Sequence, residues 1–189
     1  MVPNNLVEVR NNHKFELDEL NEWFYNHIPS HGSIAEVKQF VGGQSNPTFV
    51  ISFENKENII LRKKPPGKLL PSAHAIEREY KVQKALEKSE VPCPKMIEIC
   101  EDSKIIGTPF YVMNVIQGRV FESIMDVKDK LGRKTYYFEL VRMLAKLHNV
   151  DYYSIGLDDF GKKGNYVTRQ IIRWEKQWHL SKQRDLPEM

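Results

Sequence analysis

A chain of 189 residues, 41% hydrophobic and 28% charged, can bury the core of one domain or one and a half. Its net charge of +3 is spread over interspersed basic and acidic residues with no basic stretch interleaved with aromatics, which argues against a nucleic-acid partner. No run approaches the length of a membrane span, residues 1–20 lack the apolar core of a secretory signal, and Cys93 and Cys100 lack metal-ligand spacing, so both are expected as free thiols in an intracellular, reducing compartment.

The apolar spacing of Phe15, Leu17, Leu20, Trp23, Phe24 and Ile28 predicts an amphipathic helix over 14–28, ended by Pro29-Ser30-His31-Gly32. A strand rich in β-formers follows from Ile34 to Val41. Next comes Gly42-Gly43-Gln44-Ser45-Asn46-Pro47, a turn in sequence chemistry. Beyond it, Phe49, Ile51 and Phe53 alternate with Thr48, Val50 and Ser52, the period of a half-buried strand. Glycines allow a ligand close to the backbone, and small hydroxyl and amide side chains suit phosphate oxygens, so the turn reads either as a phosphate loop or as an ordinary hairpin loop.

Asn58 to Lys64 predicts a third strand, with Ile59 and Leu61 on one face and Ile60 and Arg62 on the other. Arg62-Lys63-Lys64 ends it, as a solvated edge or as cations placed to meet phosphates above the turn. Ser72 is a candidate cap for a helix over 73–88, on which Ala75, Glu79, Val82 and Leu86 share one face. A carboxylate on such a face needs a cation, and the basic strand end lies just upstream. Glu77 stands four residues before Lys81, at the spacing of an exposed helical pair.

Met96–Cys100 and Phe110–Val115 predict two more strands, so five short strands carry one helix inserted after the third. Gln117-Gly118-Arg119 reads as a connector. Tyr137, Leu140, Val141, Leu144 and Leu147 then form one helical face, and Val167, Ile171, Trp174 and Trp178 another, with Gly161–Tyr166 as the loop before it.

This order of elements is that of a kinase small lobe followed by the start of a large lobe. The runs Gly42 to Phe49, Leu61 to Gly67, Arg78-Glu79-Tyr80 and Val91-Pro92-Cys93-Pro94 resemble the aminoglycoside phosphotransferase and choline kinase-like family. Leu61 to Leu86, Phe110-Tyr111-Val112-Met113 and Gln117-Gly118-Arg119 are similar to the N-terminal kinase-like domain of the acyl-CoA dehydrogenase family members ten and eleven. The resemblance implies an α+β protein kinase-like fold, with a five-stranded antiparallel small lobe over 1–116 and the connector and first large-lobe helices over 117–189.

It also implies roles. Gly42, Gly43, Gln44, Ser45 and Asn46 would cover nucleotide phosphates; Arg62 stands where most relatives have a phosphate-pairing lysine, and Glu79 where its helix partner sits. Lys63, on the opposite face of the strand, is the weaker candidate. Met113, Asn114 and Val115 would form the hinge that reads the adenine edge. The implied cofactors are ATP and Mg2+, the implied acceptor the hydroxyl of a hydroxyacyl-CoA, and the implied compartment mitochondrial or peroxisomal. FAD enters only if a dehydrogenase domain follows.

Phosphoryl transfer further needs a residue that orients the nucleophile and carboxylates that hold magnesium. In the family these come from a His-Gly-Asp loop and a later strand aspartate, which the 189 residues do not contain, so the chain is expected to stop before the catalytic loop and to carry no catalytic or metal-binding residue. His148-Asn149-Val150-Asp151 and Asp159-Phe160-Gly161 imitate the two motifs but lie too close together to serve as them. The expected function is therefore the N-terminal segment of an ATP-dependent small-molecule phosphotransferase, or else a non-catalytic module that binds a nucleotide or a partner.

Overall fold

Alternating apolar residues need a cover on each side of a sheet, and in the computed structural model a helix supplies it on either face. The structure describes residues 5–42, 46–67, 74–119, 121, 123–161 and 164–181. Six antiparallel strands, β1 (Leu6–Val7), β2 (Ile34–Phe40), β3 (Thr48–Phe53), β4 (Asn58–Lys63), β5 (Met96–Cys100) and β6 (Phe110–Asn114), lie in the order β1-β2-β3-β4-β6-β5. Helix α1 (Leu17–His27) precedes β2, and α2 (Ile76–Leu86) joins β4 to β5. Beyond β6 come α3 (Lys130–His148) and α4 (Tyr166–Ser181). The α+β class is as expected, with a sixth strand added: β1 is too short to show alternation and is defined by its pairing with the end of β2, Leu6 opposite Phe40.

One face of the sheet holds the main core. Leu20, Trp23 and Phe24 of α1 pack with Phe49, Ile51 and Phe53 of β3, Ile59 and Leu61 of β4, and Phe110 and Val112 of β6. Edge-to-face ring contacts lock it, Trp23 on Phe110 at 4.9 Å and Phe24 on Phe53 at 5.2 Å. The opposite face is thinner: Ile76 of α2 meets Met96 and Tyr111, with Tyr80, Ile99 and Met113 at the margin. Val50 and Ile60, which alternate with the core residues, are buried as well, so β3 is buried on both faces rather than half-buried.

Several local readings shift. Helix α1 begins at Leu17, which is exposed, and the stripe narrows to Leu20, Trp23 and Phe24. Helix α2 begins at Ile76, with Ala75 as an N-cap that supplies no side-chain bond; Ser72 lies outside the described residues. The carbonyl of Ala75 accepts from both Arg78 and Glu79, which closes the first turn without a cap. The residue of α2 driven into the sheet is Ile76, where the sequence pattern pointed to Ala75. Glu77 meets Lys64 rather than Lys81.

The contacts divide the chain into two units, one up to Asp151 and the other from Tyr152. In the first, α3 is N-capped by Asp129, whose carboxylate accepts from the Leu131 and Gly132 backbones. It ends at His148, as expected, and Tyr137, Leu140, Val141, Leu144 and Leu147 are exposed on it. In the second, α4 exposes Val167, Ile171 and Trp174. Among the described residues no helix is long and apolar enough to cross a membrane, and both cysteines are free.

Lys63 is the one cation buried in the main core among the described residues, 3% exposed. Its Nζ donates to the carbonyl of Ile106 at 2.8 Å and sits 4.9 Å from the centre of the Phe15 ring. Burial lowers its pKa from 10.5 to about 8. Below pH 8 the group is charged in both folded and unfolded chains, and the full cost of burying the charge is present. Between about 8 and 10.5 the folded state sheds its proton first, so this group makes stability rise with pH across that window. Urea unfolding of wild type and Lys63→Met at pH 7 and pH 10 should show wild type gaining on the variant by roughly 1–3 kcal/mol. A difference that does not change with pH contradicts a buried ammonium.

Candidate functional site

Strand register sets the site. Thr48 of β3, Arg62 of β4 and Tyr111 of β6 are direct neighbours across the sheet, so their side chains leave the same face. That is the α2 face, and Glu79 comes down onto it from the first turns of α2. Lys63, one residue on, points the other way into the main core, as its place in the alternation predicts.

Among the described residues, three donors reach the Glu79 carboxylate. Arg62 Nε donates to Oε2 at 2.8 Å, the Tyr111 hydroxyl donates to Oε2 at 3.2 Å, and Asn46 Nδ2 donates to Oε1 at 2.9 Å. The Arg62 side chain is 26% exposed and that of Glu79 34%, so the pair lies at the mouth of the sheet–helix layer rather than deep within it. Burial, the largest cause, lifts the Tyr111 phenol to about 12, which keeps it protonated and donating. Gln83, one turn along α2, donates to the Tyr111 oxygen at 3.3 Å.

Arg62 does more than pair with Glu79. Its Nη1 donates to the backbone carbonyl of Asn46 at 3.1 Å and to Thr48 Oγ1 at 2.9 Å. Asn46 is therefore gripped at its backbone and at its side chain. Its amide is 1% exposed and spans Glu79 on one side and His74 Nδ1, 3.1 Å from Oδ1, on the other. The turn residue expected to cover a ligand thus turns its side chain inward and ties the turn to β4 and α2. Thr48, Tyr111, Gln83 and His74 are members of this cluster that the sequence reading did not name. Counting alternate positions on the strands would have found Thr48 and Tyr111; nothing in the sequence marks His74.

Gly42 ends the strand side of the turn. A Cβ there would meet nothing within 4 Å, so the fold itself does not demand glycine at this position. Gly43, Gln44 and Ser45 lie outside the described residues. At the far end of β6, Met113 pairs with Ile60 and Met96, and Asn114 pairs with Ile59. The Asn114 backbone donates to the Lys95 carbonyl at 3.0 Å, and its side-chain oxygen accepts from the Lys95 backbone, so both ends of Asn114 are tied to the chain entering β5. Val115 follows the strand directly and is half-buried. The structure brings together Asn46, Arg62 and Glu79; Met113 and Asn114 end β6 beyond Tyr111, and Val115 follows them. Among the described residues no group of three or more His, Cys, Asp or Glu is placed to hold a metal ion.

A cation and a carboxylate locked between the third full-length strand and the inserted helix, beside a glycine turn, make a constellation that can be compared with known proteins. Residues 36–189 match the family described as "Phosphotransferase enzyme family". The chain belongs to that family. Similarity extends to the rat acyl-CoA dehydrogenase family member 11, 43% identical over 194 residues, which covers 100% of this chain and 25% of the rat protein. The mouse acyl-CoA dehydrogenase family member 10 is 43% identical over 155 residues, covering 82% of this chain and 14% of the mouse protein. A solved structure from Ralstonia eutropha, assigned as an aminoglycoside phosphotransferase, superposes with a TM-score of 0.70 at 39% identity, over 92% of this chain and 50% of that one. The kinase-like phosphotransferase fold is thereby established for the chain, which spans about a quarter of the length of the rat relative.

If Glu79 is the hub, its loss orphans the buried Asn46 amide and the Arg62 guanidinium together. Glu79→Ala should cost about 1–3 kcal/mol in urea unfolding, and Tyr111→Phe, which removes one donor of three, less than about 1.5 kcal/mol. A Glu79→Ala protein no less stable than Tyr111→Phe would show that the carboxylate is not the organising group.

Proposed function

We propose that this chain is the nucleotide-binding part of an ATP-dependent small-molecule phosphotransferase. The observation that carries the reading is the Arg62–Glu79 pair, 2.8 Å apart, with the same guanidinium fastened to Asn46 at the base of the glycine turn. A guanidinium has five N–H donors. Nε and Nη1 make the three bonds described, and the Nη2 edge, which none of them uses, is the one we assign to phosphate oxygens. Glu79 aims that edge, and Tyr111 and Gln83 hold Glu79 in place. The residues described fit an anion: a strand-end cation and, at Gly42, a backbone position open to a close approach. Met113, Asn114 and Val115 are the segment we assign to the adenine edge.

When bound, MgATP supplies a γ-phosphoryl group for transfer. In this chain the residues named bind and orient the donor; we assign none of them to deprotonating the acceptor. We propose the hydroxyl of a hydroxyacyl-CoA as the acceptor; what brings an acyl-CoA into the reading is that relatives are named as acyl-CoA dehydrogenase family members.

Calorimetric titration with MgATP tests this directly. The 189-residue chain should bind with saturable heat, and Arg62→Ala should raise the dissociation constant by about tenfold or more. Gly42→Ala should leave the unfolding free energy unchanged or slightly raised, by up to about 1 kcal/mol, because the new methyl meets open space and stiffens the unfolded chain. The same substitution should weaken MgATP binding if phosphates approach the backbone there. Absence of heat at millimolar MgATP, or equal affinity in the Arg62→Ala protein, would overturn the assignment.

A further inference from the structure

The Asn46 amide can be oriented without ambiguity. Glu79 Oε1 only accepts, so the group 2.9 Å away must be Nδ2, and Oδ1 then faces His74 Nδ1 at 3.1 Å. An amide oxygen also only accepts, so the imidazole must carry a hydrogen on Nδ1. Asn46 is 1% exposed, and no solvent can replace that donor.

The backbone holds His74 in place to give it. His74 lies in the left-handed region, φ +56°, where a β-carbon is disfavoured but histidine is enriched. Its carbonyl accepts from the Ile76 backbone at 2.9 Å across Ala75, whose φ of −76° and ψ of 79° make an inverse γ-turn. This turn leads straight into α2, the helix that bears Glu79. The ring reaches 28 residues back to the Asn46 amide oxygen, and the nitrogen of that amide donates to the same carboxylate.

We infer that His74 is a positioning residue: its Nδ1–H fixes the Asn46 amide and, through it, the Glu79 carboxylate and the Arg62 guanidinium. The hydrogen-bonded chain runs His74, Asn46, Glu79, Arg62, so a loss at one end loosens the group at the other. Only the nucleotide readout of this inference rests on the proposed MgATP site; the structural readout does not.

Three substitutions separate the ring's donor from its backbone. Glycine and asparagine both accept a positive φ, but only asparagine offers an N–H where Nδ1 stands. Glutamine places its amide nitrogen where Nε2 stands. The readouts, made on the 189-residue chain, are proton exchange of the Arg62 Nε–H by NMR and the MgATP dissociation constant.

His74→Gly should speed the exchange by about tenfold, as expected for losing one buried hydrogen bond, and weaken MgATP severalfold. His74→Asn should restore both toward wild type, and His74→Gln should not. Wild-type exchange in His74→Gly overturns the inference. So does a wild-type imidazole whose 15N shifts put its proton on Nε2 alone. Should the glycine variant fail to fold, the asparagine and glutamine proteins decide, and identical behaviour of the two overturns it. If wild type binds no MgATP but Arg62 exchange still follows His74, the nucleotide site fails and the positioning role stands.

Discussion

A carboxylate set partly out of water between a helix and a sheet needs partners, because a charge withdrawn from solvent without them is costly. Glu79 is compensated three times over, by the Arg62 guanidinium, the Tyr111 phenol and the Asn46 amide. Those three partners come from β4, β6 and the end of the glycine turn. The demand of one charged group thus joins the inserted helix, two strands and a loop at a single point. The apolar contact between α2 and the sheet is thin, with Ile76, Met96 and Tyr111 at its centre. The polar cluster adds to that contact, beside the Lys64–Glu77 pair and the bond from Lys84 to the Met96 carbonyl.

An arginine at this position does what a lysine cannot. A lysine presents its hydrogens from a single nitrogen, whereas the planar fork of Arg62 reaches Glu79 through Nε and both Asn46 and Thr48 through Nη1. The cation is thereby rigid before any ligand arrives. It also holds the backbone carbonyl of Asn46, so Asn46 is tied to the pair by its main chain as well as its side chain. The neighbouring cation, Lys63, is held as firmly, but against Phe15 and Ile106 on the other face. Alternation along β4 separates two adjacent charges into two roles, one at the site and one in the core.

Much of this was legible in the sequence. Phe49, Ile51 and Phe53, then Ile59 and Leu61, alternate because one face of each strand meets α1, and that periodicity is written locally. The same count puts Arg62 and Lys63 on opposite faces, and the inward face of the helix exposes Glu79 as a carboxylate in need of a partner. What stayed hidden depends on contacts distant in sequence. Two-residue β1 is a strand only because β2 offers it an edge. Val50 is buried on the face that alternation alone assigns to solvent. Asn46 reads as a turn residue, and its inward amide follows from where Glu79 and His74 stand. His74 carries no periodic or capping signal at all, since its position comes from a left-handed backbone ahead of α2. The family itself was legible because several short motifs kept their order, and the match over 36–189 and the superposed Ralstonia chain rest on that same order.

The central claim is that the Arg62–Glu79 pair is one wall of a nucleotide phosphate site. The most direct measurement replaces magnesium with paramagnetic Mn2+ and follows NMR line broadening as MnATP is added to the 189-residue chain. The metal travels with the phosphates, so the broadening maps where they lie. The account predicts that the Arg62 side-chain signals and the backbone amides of Gly42 and Asn46 broaden first, and that Lys63 and the α1 core are spared. Broadening centred elsewhere, or none that a diamagnetic MgATP control fails to reproduce, would contradict it.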